Sequence, residues 1–207
     1  MNGKSASKKV RATKVRATLA AATLAAGGLA GLGTAGTAHA IQPTLSLTYT
    51  CTMPLIGAQQ MTVAITADAP ASVARNTPSP TFPVSTVATV NATTTSALRL
   101  IGARTLTGTA SASATVQAPQ GNIPLTVPNT LRNTAIPESG AFPVTANGTA
   151  PSMTFTQAGT GTIRVGNLSL TLTPKTASGG NTGLGTFTVP CTQNSGQNNV
   201  LDTFTIT

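Results

Sequence analysis

The chain has 207 residues, of which 7% are charged and 3% aromatic, and it contains no tryptophan. Its formal net charge of +9 invites a nucleic-acid reading, but beyond residue 40 the basic residues are scattered singly. They lack the clustering and the aromatic platforms that such a partner requires, so nucleic acid is excluded as a predicted partner.

The first forty residues read as a targeting segment. Lys4, Lys8, Lys9, Arg11, Lys14 and Arg16 form a basic stretch, and an apolar run rich in Ala, Leu and Gly follows from Ala17 to about Thr37. "AHA", Ala38 to Ala40, has the small-x-small form of a signal-peptidase site, and cleavage is predicted after Ala40. A membrane anchor is the competing reading. Gly27, Gly28, Gly31 and Gly33 weaken a helix there, and the apolar core is shorter than the roughly 20 residues a span needs. No stable membrane span is therefore predicted after cleavage, and without an Arg-Arg pair the general secretory route is favoured. What remains carries Arg75, Arg99, Arg104, Arg132, Arg164 and Lys175 against Asp68, Glu138 and Asp202, six bases against three acids, a balance of +3.

Residues 41–207 suit one domain with a core of its own. Threonine makes up more than a fifth of them, and Val, Ile, Leu and Phe recur at strand spacing. Leu45, Leu47 and Tyr49 alternate with Ser46 and Thr48, and Met61, Val63 and Ile65 with Thr62, Ala64 and Thr66. This period of two predicts strands with one buried face. Asp68-Ala-Pro70 ends the second strand, and "NTPSP" leads to a third over 82–90. "NATTTSALRLIGA" is the one segment that reads as a helix: Asn91 can cap it, Leu98, Leu100 and Ile101 supply apolar contacts, and Gly102 stops it. Its threonines argue for a strand instead.

"RTLTGTASASATVQ" reads as a strand or a strand pair, and the prolines of "GNIPLTVPNTLRNTAIPESG" predict edge strands and loops. "AFPVTANG", "SMTFTQ", "TIRV", "LSLTLTP", "LGTFTVP" and "VLDTFTIT" follow as strands, with a tight hairpin turn predicted at Gly166-Asn167. About ten strands at this spacing predict an all-β, antiparallel sandwich.

The two cysteines narrow the chemistry. A lipoprotein cysteine must be the first residue after cleavage, and Cys51 lies eleven positions past Ala40. A cysteine nucleophile normally needs a histidine base, and the only histidine, His39, leaves with the targeting segment. A structural zinc site needs about four Cys or His ligands. An exported compartment and an even count leave a disulfide, Cys51–Cys191.

"LTYTCTMPLIG", "NGTAPSMTFTQAGTGTIRVGNLSLTLTP" and the closing "CTQNSGQNNVLDTFTIT" together resemble a family of secreted actinobacterial domains of unknown function, over nearly all of residues 41–207. The resemblance implies an immunoglobulin-like β-sandwich with a disulfide. It brings no catalytic residues to carry over.

Absences shape the functional expectation. Without histidine there is no Ser-His-Asp or Cys-His site. A glycosidase pair needs two carboxylates roughly 5 to 9.5 Å apart, and Asp68, Glu138 and Asp202 are better read as turn or surface groups. No acidic cluster suits calcium, the glycine-rich "GTGT" and "GGNTGLG" lack a phosphate-loop lysine, and Tyr49 reads as core. The sequence therefore predicts no cofactor and no metal, and a secreted, non-enzymatic module at the cell envelope, with cell-wall glycan or another envelope protein as partner. The alternative is a carrier of a small apolar ligand between the sheets: a large apolar cavity would favour the carrier, a dry packed core the envelope module.

Overall fold

The protein is described by a computed structural model over residues 44–207; Ala38, Ala40 and the rest of the proposed targeting segment lie outside the described residues. Eleven strands and one helix succeed one another: β1 (Thr44–Met53), β2 (Gly57–Ala67), β3 (Ser72–Val73), β4 (Phe82–Val90), α1 (Ala92–Leu100), β5 (Thr105–Ala118), β6 (Gly121–Leu131), β7 (Thr134–Ala135), β8 (Phe142–Ala150), β9 (Gly159–Lys175), β10 (Phe187–Gln193) and β11 (Val200–Ile206).

The all-β class, the short helix and the disulfide agree with the sequence reading, but the sandwich does not. Eight strands follow in the order β9-β10-β1-β2-β4-β8-β6-β5, and β5 pairs again with β9, so one antiparallel sheet closes on itself. The fold is an eight-stranded barrel, neither a sandwich nor immunoglobulin-like. An alternating strand looks the same in both architectures. What decides is edge pairing, here the long ladder from Thr105↔Lys175 to Gln117↔Thr162 that joins β5 to β9 and removes both edges.

The register gives the barrel its dimensions. One outward row runs Thr44↔Thr66, Thr66↔Ser85, Ser85↔Asn147, Asn147↔Thr130, Thr130↔Thr109, Thr109↔Thr171 and Thr171↔Thr188. Extending the Cys51↔Cys191 register by three residues sets Thr188 level with position 54. The circuit leaves β1 at 44 and returns at 54, a shear of ten residues. With ~3.3 Å per residue and ~4.8 Å between strands, that shear tilts the strands by about 40° and gives a backbone radius of about 8 Å. Opposite walls thus stand roughly 16 Å apart, against about 10 Å for packed sheets. Side chains of ordinary length do not close that distance where alanines face inward.

The faces are sharply divided. Leu47, Tyr49, Met61, Val63, Ile65, Val84, Val127, Val144 and Ile163 point in and are buried, while the outward rows carry Thr, Ser, Gln and Asn. β3, β11, Phe155 and the 68–81 connection build a second small core, in which the Phe155 and Phe204 rings meet edge to face at 5.4 Å.

Two local expectations are also corrected. β9 is a single 17-residue strand, and Gly166-Asn167 form a bulge, not a hairpin turn. Gly166 does not take a positive φ, and the register against β5 shifts by one residue there, from Ala112↔Leu168 to Ala114↔Val165. The bulge lets β9 pair with β11 through its first half and with β10 through its second. "SMTFTQ" forms no strand. Met153 and Phe155 alternate inward as expected, but their carbonyls accept from Ser79 and Asn76 at 2.8 and 2.7 Å, in a loop and not a ladder.

Candidate functional site

The helix seals one end of the barrel. The Asn91 side chain caps it, with Oδ1 accepting from the Thr94 amide at 2.8 Å and Nδ2 donating to Gln59 Oε1 at 3.1 Å. Gly102, at φ 80°, ends it with the left-handed turn that glycine tolerates best. The threonines survive in a helix because they are used: the Thr95 hydroxyl reaches the carbonyls of Asn91 and Gly140 at 3.1 and 2.7 Å. Thr94 and Leu98 are buried and look down the barrel axis.

Beneath α1 lies a cavity of about 110 Å³. Its walls come from all the barrel strands, chiefly as Val, Ile, Leu, Met, Phe and Ala. Ala88, Ala110, Ala112, Leu125, Leu168 and Leu170 face inward yet are only half-buried, because they border the void and not one another. No charged side chain lines it. Outside, over β5, β6, β8 and β9, a polar groove of about 600 Å³ is lined by Thr109, Ser111, Thr130, Asn147, Thr149, Ser169 and Thr171. Asn129 borders both.

The residues singled out in the sequence fall as follows. Cys51 and Cys191 are disulfide-bonded, directly opposite each other and buried, across a β1–β10 seam that has three register pairs. Tyr49 is fully buried, and its hydroxyl donates to the Gly166 carbonyl at 3.1 Å. Loss of solvent pushes its pKa up to about 12. The three acids sit on separate elements. Asp68 is exposed just past β2, Glu138 lies before β8 and pairs with Arg99 near the end of α1, and Asp202 is in β11, where its Oδ1 accepts from the Thr203 amide at 2.8 Å.

Asn129, a buried amide between the lumen and the outer groove, went unread in the sequence. The signal was present: in Leu125-x-Val127-x-Asn129-x-Leu131 an amide occupies an apolar phase.

No curated protein and no solved structure matches the chain. Residues 48–202, from β1 into β11, match the family of unknown function DUF6801. The lumen, both cysteines and all of the eight barrel strands except the first four residues of β1 fall within that match, and the chain belongs to this family.

Proposed function

We propose that the protein is an exported, non-enzymatic β-barrel that carries a small apolar ligand in its lumen. The observation that supports this reading is the apolar void of about 110 Å³ beneath α1. Eight-stranded barrels either fill with side chains or hold one small ligand, and a cavity of about 150 Å³ lined by Leu, Ile and Phe stays dry and takes up benzene. Burial of hydrocarbon contributes about 0.8 kcal/mol per methylene, enough for a compact apolar molecule of several carbons to overcome part of its association cost. Export is supported by the targeting pattern and by the buried disulfide, which an oxidising compartment maintains. The Ala/Thr/Gly bias suits an actinobacterial source. An outward face of hydroxyls around an apolar lumen is opposite to the polarity of a lipid-facing barrel. The scatter of Asp68, Glu138 and Asp202 supports a role without catalysis. Toluene titration followed by thermal unfolding tests the lumen: saturating toluene is expected to raise Tm, and no response would overturn the carrier reading.

A second reading, an envelope module that grips cell-wall glycan, draws on the outer hydroxyl groove. It ranks second because sugars favour an exposed aromatic platform, and the tyrosine of this chain is buried. Pull-down with purified cell-wall material tests it.

A further inference from the structure

A carrier needs a way in, and three recesses border the lumen. At the end away from α1 the shared wall is Phe82 and Ile163, backed by the buried rings of Phe155 and Phe204. At the outer groove it is Ala110 and Asn129, and that approach is lined by hydroxyls and amides. The third recess is a notch of about 30 Å³ between the 54–56 turn, α1 and the start of β10. Leu55, Ala97, Ile101 and Leu184 line it, and Met53, Thr94, Leu98 and Phe187 divide it from the lumen. Of the three approaches, this one is apolar and has no aromatic plug behind its partition.

The barrel wall is interrupted at the notch. The β1–β10 ladder ends at Cys51↔Cys191. The Thr48 carbonyl accepts from the Asn194 amide at 3.0 Å, so the even-numbered residues of β1 turn their backbone polar groups towards β10. Next in line, Thr52 meets Pro190, which has no N–H to give its carbonyl. Beyond the disulfide β1 runs on to Met53 paired with β2 alone, and β10 begins at Phe187 paired with β9 alone. The four side chains of the partition differ in freedom. Thr94 and Leu98 sit on the capped helix, which Asn91 ties to Gln59 and Thr95 ties to Gly140. Met53 is unbranched and adaptable, and Phe187 is half-buried at the first position of its strand. Beside them, Leu55 is 58% exposed in the turn before Gly57, and Leu184 stands between Gly183 and Gly185.

We propose that apolar ligands enter and leave the lumen through this notch, with Met53 and Phe187 swinging aside between the 54–56 turn and Leu184. This rests on the carrier reading and assigns its route. The disulfide bounds the opening from below, holding β1 to β10 so that the notch widens without unzipping the seam.

A residue on the route but outside the binding space changes rates and not affinity, because entry and exit cross the same barrier. Leu184 lines the notch and not the lumen. Nuclear magnetic resonance exchange of toluene with the processed protein reads both rate constants. Leu184→Trp should slow association and dissociation together, at least about tenfold for about 1.4 kcal/mol of added barrier, and leave the toluene Kd unchanged. Thr130→Trp, on the outer groove, should leave both rates as they are. Unchanged rates in Leu184→Trp, or slowing by Thr130→Trp in its place, would overturn the route and leave the carrier reading standing. Failure of toluene to bind the native protein would overturn both. Should Leu184→Trp not fold, Leu184→Ala decides by the opposite sign: both rates should rise at constant Kd, and unchanged rates overturn the route.

Discussion

Ala88→Ile turns the emptiness of the lumen into a sign. Ala88 lies in β4, paired with Val63 and Val144, half-buried and lining the cavity. The substitution adds three carbons and a β-branch that suits a strand. Three carbons, each claiming about the 30 Å³ of a water molecule, fit within about 110 Å³. At about 0.8 kcal/mol per carbon they contribute roughly 2.4 kcal/mol, less about 0.5–1 kcal/mol for the rotamer freedom isoleucine loses. The net is about 1.5 kcal/mol of stabilisation, or roughly 3–6 °C in Tm for a domain of this size. In a fully packed core the same change would be overpacking and would destabilise by about 1–3 kcal/mol. Differential scanning calorimetry of both proteins reads the sign directly. A Tm lowered by several degrees, in a variant that keeps the native circular dichroism, would refute the open lumen.

Three further outcomes follow from the same structure. Reduction, or Cys191→Ser, releases a loop of 140 residues and should cost on the order of 5 kcal/mol as an upper figure; a melting curve indifferent to reductant would count against the role of the bond. Burial holds the Tyr49 phenol protonated, its pKa raised to about 12. Its stabilisation is fully present below the unfolded pKa of about 10 and is lost as pH climbs towards 12, about 3 kcal/mol in all. Because the chain has a single tyrosine and no tryptophan, tyrosinate absorbance reports this group alone, and Tyr49→Phe should flatten the alkaline loss; a midpoint near 10 in the folded protein would contradict the burial. Asn91→Ala removes the helix cap and should lower stability by about 1 kcal/mol in urea titration, with no change as the contrary result.

Local structure was largely legible in the sequence. Asn91 and Gly102 bracket α1 as their capping chemistry requires, Asp68-Ala-Pro70 ends β2, and the cysteines could be paired because their alternatives lacked partners. What could not be read was non-local. Gly166-Asn167 has the composition of a hairpin turn, and only the unbroken ladder along β5 makes it a bulge. Likewise, Thr105 and Lys175 carry no sign that they pair, although that pairing separates a barrel with a hollow axis from a sandwich with a filled one. Asn129 shows the same limit: one amide in an apolar phase reads as a flaw until Gly148, which leaves room for it, is known to stand opposite in register.

The seam closed by Cys51–Cys191 also sets how the molecule bears load. Tension applied at the two ends of the described chain passes from Cys51 to Cys191 through the sulfur bridge, and the 139 residues between them feel none of it. Only the eight residues from Thr44 to Cys51 and the seventeen from Cys191 to Thr207 can be drawn out, about 90 Å at ~3.5 Å per residue. Reduction would free roughly 490 Å more of contour. The oxidised barrel is thus a link of limited reach, in which most of β1 and β11 can be drawn out but β2 through β9 carry no load, whereas the reduced chain would unravel through the ligand site itself.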